Sequence, residues 1–400
     1  MELTVAAARL APADSSLIQV LEVRGLQVKR VCGGRAETIV SAINLSVAAG
    51  ETVGIVGESG SGKWITAQAS LGYCRRPSSL GRGHVRRSQP ARPARAALTQ
   101  GSRPTDRADS ARPLHDAQPR APLRFAQSTS PLRGQRQQRM TRRERRAEVL
   151  RRLAEVGIYD ETVADRYPFQ LSGGMRQRIA IAAALAREPG RLIAHEPSTA
   201  LDVTTQREIL ALIKSLQDAC GMGLILITHD LRVVFGMCDR IYVLYAGSLV
   251  EIAPAAELDA EPLHPYSHGL LLPEPPADRR VNELIAIPGE VPKAADVSDR
   301  CVFAPRCQWA RPICSEGAPP LLEVGPQRLS ACIRLAEIRA EMASAARACR
   351  TRRSPTDTHA TNSTRRWSAS PALARPEAIA LHPVSALRPE RPLQPWQKTT

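Results

Sequence analysis

Between residues 17 and 56 the apolar positions come in short runs separated by turns: Ile18 to Val23, Ile43 to Val47 and Val53 to Val56. Runs of this length, bounded by turn residues, predict strands, and the last leads into a glycine-rich loop. The period changes at 141–157, where Ala147, Leu150 and Ala154, and also Val149, Leu153 and Val156, recur at helical spacing. Gly173-Gly174 opens a second helical stretch that continues as IAIAAALAR, apolar enough to bury most of its surface. Leu192 to Ala194 and Leu224 to Thr228 are short and uninterrupted, the pattern of parallel strands covered on both faces. Ile241 to Val250, broken by Ala246-Gly247-Ser248, predicts a hairpin. Strands alternating with helices predict an α/β fold.

Charge changes this picture only at the margins. The chain of 400 residues has a formal net charge of +16, which by itself suggests a polyanion partner. Its location argues otherwise. Residues 73–139 carry 15 Arg against 3 Asp, with no Lys and no Glu, and residues 339–400 carry a further 10 Arg and 1 Lys against 4 acids. Together the two segments account for more than the whole excess. They show no helical or strand period, and only Tyr73, Phe125, Trp367 and Trp396 lie among their arginines, too few for a base-stacking platform. Stretches this poor in apolar residues cannot offset their ordering entropy by burial, so both read as disordered, or as sequence foreign to the fold. No nucleic-acid partner is expected. No run of 18 apolar residues occurs, so no membrane span is expected, and Met1 to Pro12 lacks the basic start and apolar core of a secretory signal.

The strongest chemistry lies at Gly57-Glu58-Ser59-Gly60-Ser61-Gly62-Lys63, after a strand and before a helix. Small residues there let successive backbone N–H groups turn inward around phosphate, and Lys63 reaches the β/γ-phosphates. A plain glycine turn is the simpler alternative, but the G-x-x-x-x-G-K spacing in this context disfavours it. Three further segments follow in order. Leu171-Ser172-Gly173-Gly174-Met175-Arg176-Gln177-Arg178 resembles the signature motif of ABC ATPases, Leu192 to Asp202 (LIAHEPSTALD) resembles their Walker B strand and D-loop, and Ile227-Thr228-His229-Asp230 resembles their switch-histidine loop. Tyr167-Pro168-Phe169-Gln170, His264-Pro265-Tyr266-Ser267, Ile287-Pro288-Gly289 and the stretch from Cys301 to Cys332 resemble the dipeptide/oligopeptide importers of that family.

The resemblance covers 17–72 and 140–337. It implies a P-loop NTPase fold: a RecA-like core, an antiparallel β subdomain and a helical signature subdomain, plus a small C-terminal extension with cysteines. It divides the chain into a tail at 1–16, a nucleotide-binding domain at 17–262 that contains the aberrant 73–139, an importer-type C-terminal region at 263–337, and a basic tail at 338–400. It implies an ATP-binding subunit on the cytoplasmic face of a bacterial inner membrane, paired with a second ATPase subunit beneath two permease subunits that a periplasmic peptide-binding protein feeds. By position, Gly57, Ser59, Gly60, Ser61, Gly62 and Lys63 would hold ATP, and Ser172, Gly173, Gly174 and Gln177 would hold the partner-bound γ-phosphate. Glu196 would polarise the attacking water, His229 would contact the γ-phosphate, and Asp202 would couple the two sites.

Four departures stand against this. Trp64 replaces the Ser or Thr whose hydroxyl binds Mg²⁺, and His195 replaces the Walker B aspartate. Neither ring suits a hard, oxygen-seeking ion, so hydrolysis at this chain's own site is doubtful. A regulatory or inactive subunit, whose signature motif serves a partner's ATP, is the alternative. No aromatic residue lies in 29–40, where the family often stacks adenine, and no glutamine loop can be found in 73–139. A frame slip accounts for the last point. Phe125-Ala126-Gln127-Ser128-Thr129 can be encoded TTC GCT CAA TCC ACN, which read one base later is the family-like Ser-Leu-Asn-Pro. Trp64 and His195 are likewise each one base from the expected residue.

Nine cysteines are present, and Cys301, Cys307, Cys314 and Cys332 cluster. Without an export signal, thiols or a metal site are expected ahead of disulfides. Four thiolates suit Zn²⁺ or an iron–sulfur cluster, with reduced buried cysteines as the alternative. The family resemblance favours [4Fe–4S].

Overall fold

A computed structural model describes residues 18–32, 35–70, 84–86, 96–98, 141–186, 189–272 and 287–351, and the side chains of 31–36, 84–86, 96–98 and 346–351 lie outside the description. All of these fall within one of the chain's two units, Met1–Trp367; the other, Ser368–Thr400, lies outside the described residues. Most of the arginine-rich 73–139, and with it the expected frame slip, is likewise outside; the disorder expected there does not extend to 84–86 and 96–98, which are described as short paired strands.

The chain opens with two long antiparallel strands, β1 (Gln19–Cys32) and β2 (Arg35–Ala48), extending well beyond the apolar runs that predicted them. Charged side chains interrupt these runs without ending the strands, because only one face is covered. Leu21, Val23, Leu26 and Val28 point inward from β1 while Arg24 and Lys29 face outward or toward the rim. A three-residue strand, β4 (His84–Arg86), pairs with the other edge of β1.

The second sheet is the core. β3 (Thr52–Val56) leads into the glycine-rich loop and helix α1 (Lys63–Ser70). β5 (Ala96–Leu98), β6 (Arg191–His195), β7 (Gly223–Ile227), β8 (Arg240–Tyr245) and β9 (Ser248–Pro254) follow. β10 (Leu322–Gly325) and β11 (Arg328–Ser330) complete the order β10-β11-β9-β8-β3-β7-β6-β5. The five strands from β8 to β5 are parallel, and the rest form an antiparallel flank.

Strand alternation divides the core between two faces. Ile193, Ile225 and Ile227 pack with Leu21, Val23, Ile43 and Leu45 beneath the antiparallel sheet. Leu192, Ala194, Leu224 and Leu226 pack on the other side against helices. Those helices are α2 (Arg142–Glu155), α3 (Gly173–Leu185), α4 (Val203–Cys220) and α5 (Leu231–Met237). α2 begins with a reciprocal cap: Thr141 Oγ1 accepts from the Glu144 amide, and the Glu144 carboxylate accepts from the Thr141 amide.

Helix α6 (Ala255–Ala260) follows β9, and the C-terminal region packs onto the core through α7 (Pro265–Leu271) and a series of short 3₁₀ turns, with Tyr266, Val302 and Phe303 in the core cluster. Helix α8 (Leu335–Thr351) runs past the boundary expected at 337, because Leu335, Ile338 and Met342 recur at helical spacing and are buried.

Candidate functional site

The sheet order brings the separated motifs together. β7 lies between β3 and β6, with Ile227 paired to both Ile55 and His195. The segments that leave these strands, 57–62, 196–202 and 228–230, therefore emerge at the same carboxyl edge, where open α/β sheets hold ligands.

The loop from Gly57 to Gly62 has the backbone its glycines allow. Gly57 adopts φ +144, and a Cβ there would lie 2.1 Å from the Leu244 carbonyl oxygen, so only glycine fits. Lys63 Nζ turns back over the loop and donates to the carbonyls of Gly57 (2.6 Å) and Glu58 (2.9 Å). Burial lowers its pKa, opposed by Glu196 and Glu58. Ser61 Oγ is buried with no hydrogen-bond partner. An orphaned hydroxyl and a partly desolvated ammonium at a helix start are a donor set that phosphate oxygens would satisfy.

Glu196 follows β6 at φ +48, a strained conformation for a residue with a Cβ. Its amide donates to the Ile227 carbonyl at 2.7 Å. The carboxylate accepts from Thr199 Oγ1 (3.0 Å), Thr228 Oγ1 (3.2 Å) and the His229 amide (3.2 Å). His229 Nδ1 lies 2.9 Å from Glu196 Oε1, and its ring is 75% exposed. The two residues expected to be catalytic thus meet directly, with an open side facing away from the core. Thr199 and Thr228, which orient the carboxylate, were not singled out from the sequence. Their only signal was a position inside the motifs.

The two metal-site departures also meet. The Trp64 indole stacks on the His195 imidazole, with centroids 4.6 Å apart and planes 27° apart. Burial lowers the His195 pKa and Lys63 lowers it further, against Glu196, so the ring is neutral near pH 7. The pair presents two apolar ring faces where Mg²⁺ needs hard oxygen ligands. These residues do not fit that ion.

Signature residues form a separate group. Ser172 caps α3, its Oγ accepting from the Met175 amide at 3.2 Å. Gly173 and Gly174 let the first turn approach the segment after β6: a Cβ on Gly174 would lie 2.7 Å from Thr205 Cγ2, and one on Gly173 3.0 Å from Leu201 Cδ2. Gln177 is buried. Asp202 caps α4, accepting from the Thr205 amide (2.9 Å) and Thr205 Oγ1 (2.7 Å). Gln206 Nε2 then donates to Asp230 Oδ2 at 3.2 Å, tying α4 to the loop that carries His229.

Cys301, Cys307, Cys314 and Cys332 line one cavity of about 20 Å³ with His264 and Trp309, and all four are free thiols. Burial raises the pKa of Cys301, and raises those of Cys307 and Cys332 to about 11 each. Among the described residues no three His, Cys, Asp or Glu side chains are arranged as a metal-binding group. The four thiols thus share one cavity, and none of them is in a disulfide. No helix among the described residues is long and apolar enough to cross a membrane.

Comparison with known proteins gives a consistent result. Residues 40–199 match the family model "ABC transporter", and residues 250–314 match "Oligopeptide/dipeptide transporter, C-terminal region". The chain is 36% identical over 321 residues to the oligopeptide transport ATP-binding protein OppD of Salmonella typhimurium, covering 80% of this chain and 94% of that one. The OppD of Escherichia coli K12 matches with the same identity and coverage. Among solved structures, cbiO1 of Clostridium perfringens, part of an ABC transporter complex, aligns at TM-score 0.48 and 25% identity over 61% of this chain and 92% of that one.

Proposed function

Because the chain belongs to the ABC transporter ATP-binding family, we propose that it is the nucleotide-binding subunit of an importer for dipeptides or oligopeptides. The observation that carries this reading is the junction of Lys63, Glu196 and His229 at one sheet edge, in a chain whose C-terminal region matches the oligopeptide/dipeptide transporter model. In this reading the loop amides, Ser61 and Lys63 bind the β- and γ-phosphates of ATP. Glu196 orients the attacking water, and His229 contacts the γ-phosphate from the exposed side. Ser172, Gly173 and Gly174, at the N-terminus of α3, serve the ATP of a second ATPase subunit, and Asp202 couples the sites through α4. The pair sits on the cytoplasmic face of a bacterial inner membrane beneath two permease subunits, with a periplasmic peptide-binding protein delivering substrate.

The Trp64–His195 stack favours a second reading of this chain's own half-site. Its phosphate loop holds nucleotide without turning it over efficiently, while its intact signature serves the partner. Phosphate release by the isolated chain, by the partner subunit and by the two together separates the readings. Magnesium-dependent turnover by the isolated chain excludes the second. Loss of peptide uptake on deleting the gene, restored by the parent chain, tests the first.

The four thiols are soft donors around one cavity, and a [4Fe–4S] cluster or Zn²⁺ is the occupant such a set would take once deprotonated. Anaerobic purification with metal analysis and a visible spectrum tests this, and a colourless, metal-free protein excludes it.

A further inference from the structure

Glu58 lies inside the phosphate loop, and its carboxylate and its amide both bond to the C-terminal region. Its carboxylate accepts two bonds from Arg306, at 2.7 Å from Nη1 to Oε2 and 3.2 Å from Nη2 to Oε1. Its amide donates to Tyr266 Oη at 2.7 Å. Its carbonyl accepts from Lys63 Nζ at 2.9 Å and from the Ser61 amide at 3.2 Å. One residue therefore links the phosphate-binding lysine to the C-terminal region.

Arg306 is built to hold that link. It ends the 3₁₀ turn Ala304–Arg306, between Cys301 and Cys307 and 248 positions downstream of Glu58. Its side chain is 5% exposed. Besides the paired bonds to Glu58, Nε donates to the Pro288 carbonyl (2.7 Å), Nη2 to the Ile287 carbonyl (3.0 Å), and Nη1 to Tyr245 Oη (3.2 Å). Tyr245, Tyr266 and Phe303 pack ring against ring around it. A planar fork with every donor satisfied holds one geometry, which an ammonium could not reproduce.

We propose that Arg306 is a positioning residue for the nucleotide site: through Glu58 it fixes the phosphate loop, so nucleotide affinity depends on the C-terminal region being docked. This rests on the loop binding nucleotide as proposed above. A pair that only fastened the C-terminal region to the core would affect stability and leave the loop unchanged. The chemistry that sets the backbone of 301–307 is then in a position to alter affinity through Arg306.

The test uses the full chain with ADP as probe, without added metal. Calorimetric affinity is measured for the parent, Arg306→Met, Arg306→Lys and the double variant Arg306→Met/Glu58→Met, together with melting temperature. Amide exchange of residues 57–62 is followed in each. Arg306→Met is expected to weaken ADP binding about tenfold, equal to about 1.4 kcal/mol, and to speed exchange in the loop. Arg306→Lys recovers part of both. In the double variant no buried charge is left unpaired, so the melting temperature recovers, while affinity stays low and loop exchange stays fast. Affinity that returns together with stability, or loop exchange that matches the parent in Arg306→Met, overturns the proposal. A parent chain that binds no ADP refutes the nucleotide reading, and the exchange data still decide whether Arg306 fixes the loop.

Discussion

The double variant Trp64→Ser/His195→Asp acts on the one place where this chain's residues contradict the ion expected at its site. The stacked pair, with centroids 4.6 Å apart, is worth about 0.5–1.5 kcal/mol beyond the area it buries. Trp64→Ser alone removes the stack and leaves the half-buried His195 ring without its neighbour. His195→Asp alone sets a partly desolvated carboxylate against an indole and beside Glu196, at a cost of about 1–3 kcal/mol. Each single variant is therefore expected to melt lower than the parent, by about 2–4 °C per kcal/mol for a unit of this size. Together the two changes supply a hydroxyl and a carboxylate, the hard oxygens that Mg²⁺ takes. A ligand at one hundred times its Kd adds about 2.7 kcal/mol to stability. The double variant should thus gain several degrees from Mg²⁺ with ADP over ADP alone, and the parent should gain nothing from the ion. Phosphate release should rise with Mg²⁺ in the double variant by about a hundredfold over the parent, the rate equivalent of about 3 kcal/mol. Melting curves with and without the ion, and turnover against Mg²⁺ concentration in the assembled subunit pair, give both quantities. A parent chain whose ADP affinity and turnover respond to Mg²⁺ as strongly as the double variant's would refute the reasoning.

Other substitutions test the remaining structural claims. Gly57→Ala forces a Cβ to 2.1 Å from the Leu244 oxygen at φ +144, so it should abolish ADP binding and lower the melting temperature; an unchanged ADP isotherm contradicts the loop geometry. Ser172→Ala removes the cap of α3 and should cost about 1 kcal/mol in denaturant unfolding, and should also reduce ATP turnover by the paired subunit without changing ADP affinity in this chain. Burial pushes the His264 pKa from 6.5 down to about 3. The unfolded chain therefore binds one more proton at this residue in that window, and its contribution is complete above pH 6.5 and lost as pH falls toward 3. Burial pushes Glu251, which accepts the His264 amide, up from 4.5 to about 7, so its contribution is lost as pH rises through that range. The two slopes oppose each other between pH 4.5 and 6.5. His264→Gln should expose the second slope, and its stability relative to the parent should change by about 1.4 kcal/mol per pH unit there. Parallel curves for the two proteins in urea titrations would count against the buried neutral imidazole.

How much the sequence decided depended on the range over which each feature is specified. The glycine loop and the helical and strand periods are set by neighbours within a few positions, and the structure has them where those patterns put them; that Ser172 and Asp202 cap α3 and α4 emerged only in the structure. The strands of the core alternate between two covered faces, so their uninterrupted apolar runs announced a buried sheet. The antiparallel pair extended further than its apolar runs because an outward-facing charge does not end a strand. The short β10 and β11, with polar and glycine positions and no apolar run, gave no such signal and joined the sheet only through pairing with β9.

The chemistry of the site was specified at longer range. The sequence named Glu196 and His229, but only the placement of β7 beside β6 put them 2.9 Å apart with Thr199 and Thr228 orienting the carboxylate. It marked Trp64 and His195 as changed anchors of one expected ion site; only the tertiary structure stacked them ring on ring. Nothing local pointed to Arg306, whose role depends on a carboxylate 248 positions away and on two carbonyls and a tyrosine from other segments. Motifs are legible because backbone geometry and residue type interact along the chain. Partners across a sheet or between regions become neighbours only when burial has fixed the order of the strands, and there the sequence alone was silent.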